Sequence, residues 1–334
     1  DHRDLHSFPT RRSSDLRYEL TGRDVHDFLD RMFCGAVPKR QGRVGLGYLL
    51  NHHGMIKAEA TVANLPDGRV WYGSAAAAEW HDMDWLRLHL RRDEDVQIQS
   101  LTNDYTILVL AGPKARDVLQ EVSRLDWSST AFPWLSVREA FIGIAPAIVM
   151  GVSFSGELAY EIHVPNAQLY AAYLALRKAG EAHGMRLFGA RAVESMRLEK
   201  GFLHWKSDIL TEFDPFETGL DRFVRMNKPD FNGKSGLEAG RLAGPKRKVI
   251  TVKVRSKSAP ARGGASGMLG GSVVGTVTSG EYGRRIGKNV AYAFVQPERA
   301  GIGTDLSIDV IGTMTAATVI ENSPYDPEMT LVRA

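Results

Sequence analysis

Several groups of side chains in this 334-residue sequence have types and spacings that invite chemistry. Glu194 and Arg197 lie three apart in GARAVESMRLEKG, a helical spacing at which acid and base pair. Glu161 sits in SFSGELAYEIHV, an extended pattern, where the plain expectation is a strand-end acid met by a surface Lys or Arg. Tyr160 must then alternate to the opposite face of that strand, a core position. His52 and His53 are adjacent, but no further His or acid follows at helical ligand spacing. HHG therefore reads as a solvated hairpin turn. GPKARDVL lacks the G-x-G-x-x-G pattern, and GASGMLGG is not followed by a helix, so both read as turns. Arg23, Arg31, Arg40 and Arg43 are scattered, without the interleaved aromatics that would stack bases. Residue types alone assemble no active site.

The elements that must carry these residues are clearer. RYELTGRDVHDFLDRMF begins as a strand and turns helical after Thr21, with Val25, Phe28, Leu29 and Met32 on one face. GRVGLGYLLNHHGMIKAEATVANL reads as two strands joined at His52-His53-Gly54. VWYGSA is a strand, and HDMDWLRLHLRR is an amphipathic helix aligning Met83, Leu86 and Leu90. YTILVLAGPKARDVLQEV reads as strand, turn, helix, and FIGIAPAIVMGVSFSGELAYEIHV as further strands. NAQLYAAYLALRKAGEAHG and FGARAVESMRLEKG are helices, the first ending near Gly184. After LAGPKRKVITVKV, glycines and β-branched residues take over, in short strands such as GSVVGTVTS, AYAFV and LSIDVI. That is the pattern of a small β barrel of about 90 residues.

Composition is that of a soluble globular protein, 43% hydrophobic and 24% charged. A net charge of +3 gives no strong field for nucleic acid or membrane, and no apolar run approaches the roughly 20 residues of a bilayer span. The single cysteine, Cys34, excludes an internal disulfide and a Cys-based zinc site, and suits a reducing, cytoplasmic setting. Residues 1–16, DHRDLHSFPTRRSSDL, have neither the apolar centre of a secretory signal nor the acid-poor make-up of a transit peptide. Letter for letter they resemble a translated sequencing adapter. They are set aside as an artefactual leader, with the protein expected to enter at about Arg17, in mid-sequence.

Two stretches break the stalemate. Gly156-Glu157-Leu158-Ala159-Tyr160-Glu161 is similar to a G-E-L-G-Y-E segment, Arg197 through Asp208 to R-L-E-K-G-y-r-h-W-x-x-D, and Pro215 through Leu220 to P-l-E-x-G-L. LVLAGPKARDVL, AFPW, NGKSGL and the closing SPYDP match less fully. From about Arg17 to the C-terminus the chain resembles the glycine-cleavage T-protein (aminomethyltransferase) superfamily of folate-binding proteins. The likeness is closest to the C-terminal halves of dimethylglycine and sarcosine dehydrogenases.

The resemblance implies an α+β, three-lobed aminomethyltransferase-like fold. A folate-binding domain would span about 17–242, with an inserted ferredoxin-like lobe at about 56–149, and a β barrel would span 243–334. It implies that Glu161 faces a cavity. There a carboxylate accepts the exocyclic amino group and adjacent ring N–H of a pterin bidentately. It implies further cofactor contacts from Arg197, through its planar guanidinium, and from Trp205, through its flat apolar face. Tyr160 belongs to the same segment and is carried with these cofactor-binding candidates, although its strand parity points to core. The catalytic carboxylate falls on Glu59, within Gly54–Val62, where relatives carry an aspartate. Ala58 replaces a second family aspartate, and Leu46 stands where many relatives have tyrosine. The longer side chain of Glu59 moves the carboxylate outward by a methylene, a change that orientation-dependent proton transfer would feel.

The function implied is capture of a one-carbon unit by tetrahydrofolate, giving 5,10-methylenetetrahydrofolate. The chain would be the C-terminal part of an FAD-dependent N-methyl amine dehydrogenase. FAD is expected only in an N-terminal half that this sequence lacks, joined in cis. Alternatives are a stand-alone glycine-cleavage aminomethyltransferase, a folate-dependent demethylase, and a non-enzymatic folate-binding assembly protein.

Overall fold

A computed structural model describes residues 15–75 and 78–334. Chain contacts divide it into two units, one of Asp1–Gly47, Glu59–Ala190 and Met329–Ala334, the other of Tyr48–Ala58 and Arg191–Glu328. The fold is mixed α and β, as the sequence indicates.

The first unit is built on two antiparallel sheets. Strands β1 (Asp15–Thr21), β2 (Arg43–Leu50), β3 (Ile56–Asn64), β4 (Val70–Ala75) and β5 (Gln97–Ser100) form a sheet in the order β2-β3-β4-β1-β5. Leu16, Tyr18 and Leu20 point to one face of β1 and are fully buried. Tyr18 pairs across with Tyr72, the rings stacked at 5.7 Å. Helix α2 (Glu79–Leu88) closes that face: Tyr72 donates to Asp82 Oδ2 at 2.9 Å, and the Tyr18 hydroxyl donates to the Glu79 carbonyl. The helix stops before Leu90, so only Met83 and Leu86 of the expected apolar stripe are buried within it. Helix α1 (Val25–Met32) buries Val25, Phe28, Leu29 and Met32, the face read from the sequence.

The second sheet has the order β6-β9-β8-β7, from β6 (Tyr105–Ala111), β7 (Val137–Ile142), β8 (Ala145–Met150) and β9 (Ala159–Pro165). Helices α3 (Ala115–Val122) and α4 (Leu169–Ala182) share a core with one of its faces, through Val118, Leu119, Ala172 and Leu176 against Ile142, Val149, Tyr160 and Ile162. The other face packs on the first sheet: Val137, Ile148 and Met150 meet Val44, Ala63 and Trp71. The unit is thus layered helix, sheet, sheet, helix.

Within the stretch 56–149, β3 and β4 belong to the first sheet, and β9, outside that stretch, completes the second. In the second sheet β6 lies at the edge, antiparallel to β9, beside the meander β7-β8-β9. Asp15 and Leu16, counted with the leader from the sequence, pair with Ala75 and Ser74 in β1, while residues 1–14 lie outside the described residues.

The second unit contains a closed six-stranded barrel, β10-β13-β12-β11-β14-β15, as the C-terminal composition indicated. Its strands are β10 (Lys248–Val254), β11 (Ser266–Leu269), β12 (Ser272–Gly283), β13 (Lys288–Val295), β14 (Asp305–Val310) and β15 (Thr313–Ile320). Val252, Ala291, Ile308 and Val319 fill the interior. Helix α5 (Ala190–Lys200) lays Leu198 on Val290 and Tyr292, and the Tyr292 hydroxyl donates to the carbonyls of Leu198 at 2.9 Å and Arg197 at 3.2 Å, beside the backbone N–H groups of Gly201 and Phe202. The tip of the β2–β3 hairpin meets helix α6 (Lys234–Ala243) backbone to backbone. A Cβ on Gly54 would lie 2.4 Å from the Leu237 nitrogen, and one on Gly236 would lie 2.4 Å from the His53 carbonyl carbon. His52 and His53 occupy the exposed turn. Among the described residues no helix is long and apolar enough to cross a membrane.

Candidate active site

Strand parity decides what β9 can present. Tyr160, Ile162 and Val164 turn to the helix-covered core, while Glu161 and His163 turn to the face that meets the first sheet. Glu161 is flanked by Val109 and Met150, and its side chain keeps 17% of its surface exposed. It is neither an open surface acid nor a sealed one. Beside it stands His163, whose Nε2 lies 3.6 Å from Glu161 Oε2. The Trp71 ring meets the His163 ring edge-on at 5.8 Å, and the Arg17 guanidinium stands over Trp71 and Tyr105 at 5.2 and 5.7 Å. Burial, with the nearby Arg17 charge, pushes His163 down to about 4, against the opposing pull of Glu161. The imidazole is therefore neutral beside a carboxylate.

Tyr160 is not at this face. Its ring packs with Phe132 at 5.6 Å and Trp127 at 6.0 Å, and burial pushes its hydroxyl up to about 12. Tyr160, carried among the cofactor-binding candidates, lies in the helix-covered core, as its strand parity indicated.

Arg197 is engaged within the protein. The side chain is 1% exposed and all five of its N–H donors are taken. Nε and Nη2 donate to Glu194 Oε2 at 2.8 and 2.6 Å; Nη1 donates to the Phe202 carbonyl at 3.1 Å and to Asp208 Oδ2 at 2.7 Å. The second Nη2 proton goes to Ser279 Oγ at 2.8 Å. The i,i+3 pairing with Glu194 holds, and no donor remains for a cofactor. Burial works against the guanidinium charge, but Asp208 and Glu194 outweigh it and keep Arg197 firmly protonated.

Asp208 explains the H-W-x-x-D wording. It is fully buried and also accepts from the His204 backbone N–H at 2.9 Å, Thr278 Oγ1 at 2.5 Å and Ser279 Oγ at 2.6 Å. The rest of R-L-E-K is equally occupied. Glu199 accepts from the Arg285 side chain and backbone, and Lys200 binds Asp326 of SPYDP at 2.7 Å. Gly201 follows with φ 78°, where a Cβ would lie 2.5 Å from the Asn322 carbonyl oxygen. These motif residues weld α5 to the barrel.

Trp205 is buried, with Lys206 Nζ 5.1 Å from its ring centre. Its indole body is packed in the core. Its Nε1–H finds no acceptor among the described residues. Glu59 lies half-buried on β3, sharing a face with Lys57 and Thr61, whereas Ala58 and Ala60 point into the core. Of the two family aspartate positions, only the one held by Glu59 is on a face that can meet a reactant. His163 and Arg17 were missed by sequence reasoning. The signal for His163 was its two-residue offset from Glu161; Arg17 had none, being an isolated basic residue at the start of a strand.

The layered unit, the barrel and the carboxylate on β9 together define an aminomethyltransferase fold. The chain belongs to the glycine cleavage T-protein family: residues 13–228 match the GCVT N-terminal domain, and residues 247–326 match the glycine cleavage T-protein C-terminal barrel domain. It is 32% identical to mitochondrial dimethylglycine dehydrogenase of Mus musculus over 91% of its own length and 35% of that protein. It is 26% identical to an aminomethyltransferase of Symbiobacterium thermophilum, over 92% of this chain and 83% of that one. The crystal structure of glycine cleavage system aminomethyltransferase T from Bartonella henselae superposes with a TM-score of 0.85 at 22% identity, covering 95% of this chain and 86% of that one. The chain thus spans about a third of the length of the dehydrogenases it matches and most of the length of the transferases.

Proposed function

We propose that this chain captures a one-carbon unit on tetrahydrofolate, forming 5,10-methylenetetrahydrofolate, as the C-terminal part of an FAD-dependent dehydrogenase of dimethylglycine or sarcosine type. The observation that carries the folate reading is Glu161: a carboxylate in the segment that resembles the family's pterin-binding segment, half-sheltered on an apolar strand face. That setting fits a pterin edge, whose paired N–H groups offer two parallel hydrogen bonds to one carboxylate and lose little to water there. Bound tetrahydrofolate supplies the nucleophilic nitrogens of the reaction. Glu161 accepts the pterin amino and ring N–H groups and fixes the ring's orientation. Glu59 takes the proton released at the reacting nitrogen. Arg197 holds α5 and Glu194 in place rather than touching the folate.

The dehydrogenase branch is supported by 32% identity over 91% of the chain, where the transferases match at 26% over 92% and at 30% over 66%. In this reading, amine oxidation on FAD belongs to another part of the enzyme. The chain's span over 83% of a transferase favours one second reading, a stand-alone aminomethyltransferase fed by a lipoyl carrier.

The test supplies the chain with tetrahydrofolate and formaldehyde, as the iminium equivalent, and follows 5,10-methylenetetrahydrofolate above the uncatalysed rate. Acceleration that disappears in Glu59→Ala supports the capture reaction. No acceleration, with folate still bound, leaves a folate-binding protein. Transfer from an aminomethyl-lipoyl carrier in place of formaldehyde would favour the second reading, and stoichiometric flavin on the purified chain would contradict the division of labour.

A further inference from the structure

His163 occupies a place where an apolar residue would serve the fold better. It follows Glu161 by two residues on β9 and shares its face. Its cross-strand neighbours are Ile107 and Ile148, and Trp71 closes over it from the facing sheet. The residue is 4% exposed, and neither ring nitrogen completes a hydrogen bond among the described residues. Burying an unsatisfied donor destabilises a protein, and a phenylalanine or leucine would fill this slot without that penalty. The imidazolium would fare worse, facing Arg17 across a buried layer. A neutral imidazole with its proton on Nε2 has one acceptor within approach, Glu161 Oε2 at 3.6 Å. Hydrogen bonds of a ligand-free site are commonly long and tighten when the site is loaded.

Resting on Glu161 as the pterin acceptor, the geometry points to His163 as the positioning residue that fixes the Glu161 carboxylate for bidentate recognition of a reduced pteridine edge. His163 touches no substrate. It donates Nε2–H to Oε2 from one side and so holds the orientation of the carboxylate. The sheet interface tolerates a polar ring in order to hold that rotamer.

The experiment titrates 5-formyltetrahydrofolate calorimetrically into the full chain for wild type, His163→Phe, His163→Gln and Glu161→Gln, with a thermal melt of each. His163→Phe is expected to melt at or above wild type yet bind about tenfold more weakly, the loss of one charge-assisted hydrogen bond. His163→Gln, whose amide N–H reaches about as far as Nε2, is expected to recover most of that affinity. A His163→Phe protein that melts well below wild type or fails to fold would make the histidine part of the core and overturn the proposal. So would His163→Phe binding at wild-type strength, or a loss that glutamine does not rescue. Glu161→Gln separates the levels. If it binds like wild type, the pterin reading itself fails; if it binds weakly while His163→Phe does not, only the positioning role falls.

Discussion

Arg197 and Asp208 form a fully buried ion pair, Nη1 to Oδ2 at 2.7 Å, that ties the end of α5 to strand β12 through Ser279. Eleven residues separate the two in sequence, yet between them they use every strong hydrogen-bonding group on either side chain. Removing one partner strands the other's charge in the interior. Asp208→Asn is expected to lower the stability of the barrel unit by about 3–5 kcal/mol, read from chemical denaturation. A loss under about 1 kcal/mol would show that the pair is not what holds α5.

Tyr160 gives the opposite expectation. Its hydroxyl has no partner among the described residues while its ring is in the helix-covered core. Tyr160→Phe should leave folate affinity unchanged and hold or raise stability by up to about 1 kcal/mol, measured by thermal melting and titration. A drop in affinity would return Tyr160 to the binding site.

These two residues show where the sequence was readable. Period-two alternation in AYEIHV separated Tyr160 from Glu161, and the i,i+3 spacing of Glu194 and Arg197 foretold their pair. The barrel was legible from its short β-branched strands. The step from motif to site was the harder one. Arg197 and Asp208 stand in a motif, but only the structure shows the partners that tie helix to barrel. Hydrophobic patterns reveal strands but not which strands pair, so the sheets to which β3 and β9 belong were not legible from order along the chain. His163 was overlooked because a histidine between apolar neighbours reads as one more strand position, although its two-residue offset from Glu161 puts both on one face.

His163 also sets a pH dependence. Its folded value of about 4 lies below the ordinary 6.5, so between those values the unfolded chain binds the extra proton. The stabilisation is full above pH 6.5 and is lost as pH falls toward 4, a change of about 3 kcal/mol. Denaturation midpoints of wild type and His163→Phe followed from pH 7 to 4 should diverge, the variant falling less. Parallel curves would contradict the buried, neutral imidazole.

Glu59 carries a carboxylate one methylene longer than the aspartate of the family pattern. Glu59→Gln is expected to lower kcat for one-carbon capture by about 10²–10⁴-fold with folate affinity kept, the range of a lost general base. Glu59→Asp should stay within about tenfold of wild type, since the acid is retained and only its reach changes. Equal losses in both variants would mean that the side chain shapes the strand rather than moving a proton.

The central claim is that one half-sheltered carboxylate reads the pterin. Measuring the dissociation constant of tetrahydrofolate for wild type against Glu161→Gln tests it most directly, because glutamine keeps the shape but turns an N–H₂ toward donors that need an acceptor. The account predicts weakening of about 10- to 100-fold, the worth of a charged hydrogen bond. Equal affinity in the two proteins would contradict it.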